Sequence, residues 1–210
     1  MERGTGGEVP ANTVRSGLTC AAPRPQAGPM AVRSIALLFD DATGGDIDLL
    51  RALYDRDRVD RAPPHVPVVA PFEENTPTAD LLEMVGLIVA VHPPFMLQLG
   101  APEAFFDGDE QLLQFVATKG GEESQRLSEA LYRDIFHHHR PSDPAGSPLQ
   151  RPALTVGRFT RADEAAAAAK QLAGKSYFCV ITEVGMLEAD DDGGWTILHS
   201  APLGSMLSTA

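Results

Sequence analysis

The sequence predicts an α+β fold with largely antiparallel sheets, in which helices and hairpin-like strands are interspersed. Three observations predict it. From about residue 30, period-two apolar stretches alternate with stretches of helical period. The last two strands flank the turn Asp190-Asp191-Asp192-Gly193-Gly194. A strand entered through proline occurs twice, at Pro64-His65-Val66-Pro67-Val68 and Pro152-Ala153-Leu154-Thr155-Val156, 88 residues apart. The duplicated strand predicts two lobes that each present one copy.

The elements follow in order. Val32 to Phe39 reads as the first strand. Thr43 is expected to cap a helix carrying Ile47, Leu50, Leu53 and Tyr54 on its buried face. His65 to Ala70 is a short apolar strand. Thr76-Pro77, a cap followed by an N1 proline, opens a helix to about Val91, which His92-Pro93-Pro94 stops. Phe95 to Leu99 and Leu112 to Thr118 are strands. A helix over Glu122 to His137 buries Leu127, Ala130, Leu131 and Ile135, with acids at its start and histidines at its end to suit the dipole. A proline-rich loop leads to the strand Ala153 to Phe159. Thr160-Arg161-Ala162-Asp163 resembles a capping box before the alanine-rich helix that ends at Gly174. Tyr177 to Glu188 and Trp195 to Ala201 complete the chain as two strands.

Composition bounds the function. The 210 residues suit one domain with a tail: 1–29 as a flexible N-terminal extension and 30–210 as the folded domain. The extension holds five glycines, four prolines and no apolar stripe, so it is expected to contribute little to stability. The net charge is −12 and the chain has only three lysines, Lys119, Lys170 and Lys175. No basic stripe exists, so no long nucleic acid is expected as a partner, while a short nucleotide is compatible. The longest apolar run, Met84 to Val91, is far below the roughly 18 residues that span a bilayer. No signal peptide is evident, and two cysteines, Cys20 and Cys179, make no disulfide framework. A cytoplasmic protein without membrane contact is expected.

Period-two geometry sends residues 65 and 67 to one face of the first duplicated strand and 153 and 155 to one face of the second. Merged, the copies read Pro-His-apolar-Thr-apolar. Here the sequence resembles the two-histidine (2H) phosphoesterase superfamily, in its 2′-5′ RNA ligase-like (LigT-like) branch, whose members carry one His-x-Thr/Ser motif per lobe. The likeness runs from Met30 to the C-terminus through Arg33 to Phe39, Pro64 to Phe72, Pro94 to Gly100, Pro152 to Arg158, Trp195 and Pro202-Leu203-Gly204. It implies a two-lobed fold of antiparallel sheets around a central cleft, with helices outside. It also implies in-line chemistry on RNA-type 2′,3′-cyclic phosphates or 2′-5′ linkages, with no cofactor and no metal. One histidine removes a proton and the other donates one, and the hydroxyls hold the phosphate oxygens.

Both motifs depart from that pattern. His65 is present, but its hydroxyl partner is replaced by Pro67; Thr155 is present, but its histidine partner is replaced by Ala153. The resemblance leaves His65 as the catalytic acid–base residue and Thr155 as the substrate-binding residue. The expected function is a cyclic phosphodiesterase or 2′-5′ RNA ligase-like protein of impaired activity, a pseudoenzyme in the limit, with a small nucleotide or RNA-terminal phosphate as ligand. The alternatives are a non-catalytic nucleotide- or small-anion-binding module and a protein-interaction domain. His92 is one candidate to reach the cleft opposite His65, and Arg158 suits an anion or an acidic partner. His137-His138-His139 is a solvated helix end, since adjacent helical residues point about 100° apart and cannot converge on one ion. His92 and His199 otherwise read as structural, and Asp190 to Asp192 as an acidic hairpin turn.

Overall fold

The computed structural model describes residues 31–74, 76–135 and 151–206. The proposed extension over 1–29 and the triplet His137-His138-His139 lie outside the described residues. The elements are β1 (Ala31–Leu38), α1 (Asp41–Tyr54), α2 (Arg56–Val59), β2 (His65–Glu74), α3 (Thr78–Ala90), β3 (Phe95–Phe106) and β4 (Gln111–Lys119). They continue with α4 (Gly121–Ile135), β5 (Ala153–Phe159), α5 (Ala162–Gln171), β6 (Tyr177–Ile181), β7 (Glu183–Ala189) and β8 (Trp195–Pro202).

Two four-stranded sheets form, ordered β2-β1-β7-β8 and β5-β4-β3-β6, and every pairing is antiparallel. The fold is α+β, as expected, with the duplicated strands β2 and β5 each at an edge of its own sheet. The helices interlock the lobes. α1 leaves β1 of the first sheet but packs on β5 of the second, while α4 leaves β4 of the second sheet and packs on β2 of the first. α5 covers the second sheet, and α3 lies against α4 and β8. One buried cluster, from Ile35 and Leu37 through Leu97, Phe115 and Leu131 to Leu154, joins both halves.

Several local expectations change. The predicted strand Tyr177 to Glu188 is two strands: it breaks at Thr182, β6 joining the second sheet and β7 the first. The run is apolar over 177–181 and again over 184–187 apart from Gly185, and the polar pair Thr182-Glu183 between them marks the break that the single-strand reading passes over. The cap of α1 is Asp40, whose carboxylate accepts from the Thr43 amide at 2.8 Å and the Thr43 hydroxyl at 2.9 Å. Leu53 is 76% exposed; the buried stripe of α1 is Ile47, Leu50 and Arg51, which are spaced by three and four. α3 starts at Thr78 behind Pro77, and α5 has Arg161 at its N-cap with no side-chain cap bond. α2 and the extension of β3 to Phe106 are additions.

The feature that positions the site is a pair of β-bulges. Ala36 faces Pro67 but Ile35 faces Val69, so Val68 is an extra residue in β2. Gln114 faces Thr155 but Leu113 faces Gly157, so Val156 is an extra residue in β5. The two bulges are 88 residues apart, the spacing of the repeat itself. A bulge leaves backbone groups outside the ladder, and in β2 two buried hydroxyls take them up. Ser128 of α4 donates to the Val68 carbonyl at 2.6 Å, and Ser34 of β1 donates to the Val69 carbonyl at 2.8 Å. Pro67 and Pro71 are tolerated because β2 is an edge strand.

Removing one of these hydroxyls strands a buried carbonyl. Ser128→Ala is expected to lower stability by about 1–3 kcal/mol in urea denaturation. Glu129→Ala, at an exposed position of the same helix, is expected to stay within about 0.5 kcal/mol of wild type.

Candidate functional site

Along β2, Val66 and Val68 are buried while His65 and Pro67 are half-buried; along β5, Leu154 and Val156 are buried while Ala153 and Thr155 are half-buried. The alternation holds up to each bulge and then shifts by one. Strict period two would send Arg158 to the face opposite Thr155. Because Val156 and Gly157 are both buried, Arg158 returns to the face of Thr155. Both line one pocket of about 200 Å³, whose other walls are His65, Pro67 and Pro71 of β2, Arg51, Asp55 and Arg58 of the α1–α2 region, and Trp195. A second groove, of about 380 Å³, shares Pro67, Pro71 and Thr155 with it and reaches Ala153. The four motif positions, 65, 67, 153 and 155, therefore share one cleft between the sheets.

His65 sits at the end of Pro63-Pro64, whose fixed φ values hold the Pro63 carbonyl 2.7 Å from Nδ1. A carbonyl only accepts, so Nδ1 carries the proton and donates it there, leaving the Nε2 lone pair as the ring's acceptor. Burial pushes the His65 pKa below the ordinary histidine value of 6.5. The Pro63 bond opposes that shift, and the Arg51 and Arg158 charges add to it. The net shift favours the neutral ring.

Thr155 accepts a hydrogen bond from Gln114 Nε2 at 3.1 Å, which leaves its own O–H to donate. Arg158 donates from Nη1 to Glu110 Oε1 at 2.6 Å, while its buried Nε has no hydrogen-bond partner and lies 3.7 Å from Asp55 Oδ2. Burial raises the Asp55 pKa against the pull of Arg158, Arg58 and Arg51. Gly157 makes this approach feasible: a Cβ there would stand 3.0 Å from Tyr54 Cβ and 3.2 Å from the Tyr54 carbonyl oxygen. The end of α1 thus lies over the bulge, with Asp55 beside Arg158.

Arg51 and Asp55 escape sequence reasoning. Buried Arg51 donates to Asp48 at 2.8 Å, to the Ala62 carbonyl at 2.8 Å and to the Arg58 carbonyl at 2.9 Å, clamping the loop that leads into His65. An arginine inside the apolar stripe of α1 is the one signal that could have found it. Among the described residues no second histidine lines the cleft. His92 lies in the turn between α3 and β3, its carbonyl facing Gly204, and His199 lies on β8 opposite Met186; neither lines the cleft. Asp190 accepts from the amides of Asp192 and Gly194, as an acidic hairpin turn does. Among the described residues no group of three or more His, Cys, Asp or Glu side chains could hold a metal ion, and no helix is long and apolar enough to cross a membrane.

Two antiparallel sheets, each presenting one copy of a duplicated bulged edge strand to a shared cleft, define a LigT-like fold. The protein TT0787 of Thermus thermophilus superposes with a TM-score of 0.59 at 14% identity, over 82% of this chain and 98% of that one. E. coli LigT complexed with 3′-AMP superposes with a TM-score of 0.56 at 15% identity, over 83% and 98%. The chain belongs to the 2′-5′ RNA ligase superfamily, whose profile matches residues 39–193. No curated protein sequence matches it.

The site makes a pH-dependent prediction. A histidine whose pKa is lowered by folding stabilises the fold above about pH 6.5, and that contribution is lost as the pH falls through the folded pKa. In an NMR titration His65 is expected to protonate below 6.5. Acid destabilisation between pH 6.5 and that midpoint is expected to be smaller in His65→Gln than in wild type.

Proposed function

We propose that the cleft binds the phosphate of a small nucleotide or RNA terminus, with His65, Thr155 and Arg158 around the phosphate, and that phosphoryl chemistry there is impaired. The observation that carries this reading is the set of anion donors that line the His65 pocket. Its lining includes three arginines and one aspartate on a chain of net charge −12. Arg51 and Arg158 are already paired with Asp48, Asp55 and Glu110, so the pocket meets an anion through guanidinium N–H groups outside those pairs and through the Thr155 hydroxyl rather than through a large net charge. Small phosphate ligands also suit a relative of this fold, since E. coli LigT has been crystallised with 3′-AMP and with phosphate.

Impairment follows from what faces His65. In-line displacement on a 2′,3′-cyclic phosphate or a 2′-5′ linkage needs a base for the attacking oxygen and an acid for the leaving one. Neutral His65 supplies a lone pair. Ala153 supplies no proton, and Pro67 has neither a hydroxyl nor an N–H. Thr155 and Arg158 would stabilise charge on the phosphate oxygens, which favours binding over turnover.

The test is hydrolysis of a 2′,3′-cyclic nucleotide by wild type, Pro67→Thr, Ala153→His and the double variant. Wild type is expected to turn over very slowly or not at all. Ala153→His is expected to raise the rate by about 10²-fold or more, the typical worth of one proton-transfer group, in a manner that His65→Ala abolishes. Robust wild-type turnover that survives His65→Ala would overturn the assignment.

A further inference from the structure

Each sheet has two edge strands, β2 and β8 in the first and β5 and β6 in the second, and an open edge offers unpaired backbone groups to another strand. Three of these edges carry a feature that spoils such pairing. β2 has Pro67, Pro71 and the bulge at Val68, and β5 has the bulge at Val156. β8 has a bulge of its own: Met186 faces His199 but Leu187 faces Ile197, so Leu198 is the extra residue. β6 has no such feature. It pairs residue for residue with β3, from Tyr177 opposite Leu99 to Ile181 opposite Phe95. The strand Tyr177-Phe178-Cys179-Val180-Ile181 holds no proline, glycine or charge, and its residues are strong strand formers.

The outward side chains of this edge are apolar as well. Phe178 is 59% exposed and Val180 51%, and Met96, opposite Val180 on β3, is 47% exposed on the same face. Among the described residues only β3 pairs with β6. An apolar strip along an unprotected edge marks a contact surface. Lys175 and Glu183 flank it, each four residues from Cys179. Both are exposed, and neither is in an ion pair among the described residues.

We propose that β6 pairs antiparallel with β6 of a second copy of this chain, about a two-fold axis at Cys179, and so joins the two second sheets into one. The symmetry of the segment selects this occupant. About that axis Phe178 faces the partner's Val180, and Val180 faces the partner's Phe178, with Met96 beside each pair. Lys175 falls opposite the partner's Glu183, and Glu183 opposite the partner's Lys175. A strand of another protein would gain the same backbone hydrogen bonds, but the equal spacing of opposite charges about Cys179 matches a strand that meets itself. β5, which carries Thr155, is the far edge of the sheet, so this pairing adds no strand beside the cleft. A contact confined to one short strand falls at the small end of specific interfaces, below about 1,200 Å², which suits a dissociation constant on the order of 1–100 µM.

The test is sedimentation equilibrium of the full chain from about 1 to 500 µM. Wild type is expected to pass from monomer to dimer across that range. Phe178→Lys and Val180→Lys, which would bury a lysine against the partner's apolar side chain, are expected to stay monomeric while keeping the wild-type circular dichroism spectrum. Leu53→Lys, at an exposed leucine of α1, is expected to dimerise as wild type does. Lys175→Glu is expected to weaken the dimer by about fivefold or more, and adding Glu183→Lys to restore it to within about twofold. A wild type that is monomeric throughout overturns the proposal, as does a dimer that Val180→Lys leaves intact. A dimer that the charge exchange fails to rescue overturns the self-pairing about Cys179.

Discussion

The cleft depends on two extra residues. Val68 and Val156 each add one position to an edge strand, and each does so one residue after a motif position. An inserted residue in a strand reverses the sense of alternation beyond it. In β5 this returns Arg158 to the face of Thr155; in β2 the equivalent position is Ala70. The arrangement holds only because the displaced carbonyls of β2 meet hydroxyls from two other elements, Ser128 of α4 and Ser34 of β1. Helix packing, sheet register and the layout of the cleft are therefore one problem with one solution.

The interlocked helices carry the same logic to the charged wall. α1 crosses to the opposite sheet, and Gly157 lets its last turn lie on the bulge. That places Asp55 against Arg158 and leaves Arg51 to organise the loop entering β2. Arg51 is almost fully committed to carbonyl and carboxylate partners, so its part is to fix geometry and to add positive potential. Burial lowers the His65 pKa, and that potential adds to the shift. An acidic protein thus gathers three arginines, two of them ion-paired, at one pocket without any basic run in its sequence.

The two halves of the repeat share the bulged edge strand and differ at the motif positions. Equivalent positions hold His65 and Ala153, Pro67 and Thr155, Ala70 and Arg158. The cleft is consequently lopsided. One cavity is rich in charge and titratable groups, and the next is apolar with a polar rim. A symmetric pair of motifs would have distributed polar groups along its whole length.

Much of the fold was legible in the sequence because it rests on local periodicity. The alternation around His65 and Thr155, the helices ended by proline or glycine and the acidic turn at Asp190 are set by neighbours within a few residues, and they hold in the structure. The gathering of positions 65, 67, 153 and 155 was readable from the repeat. Non-local contacts decided the rest. In the run from Tyr177 to Glu188 the polar pair Thr182-Glu183 marks an interruption, but only strand pairing decides that the chain changes sheets there, because the apolar stretches on either side suit either sheet. Leu53 and Arg51 exchange the roles their polarity suggests because carbonyls of the 58–62 loop supply Arg51 with partners. The place of Arg158 depends on a bulge whose register is set by β4, and Asp55 meets it only because α1 crosses between the sheets. The sequence determined which side chains each strand offers; the pairing of distant strands decided which of them meet.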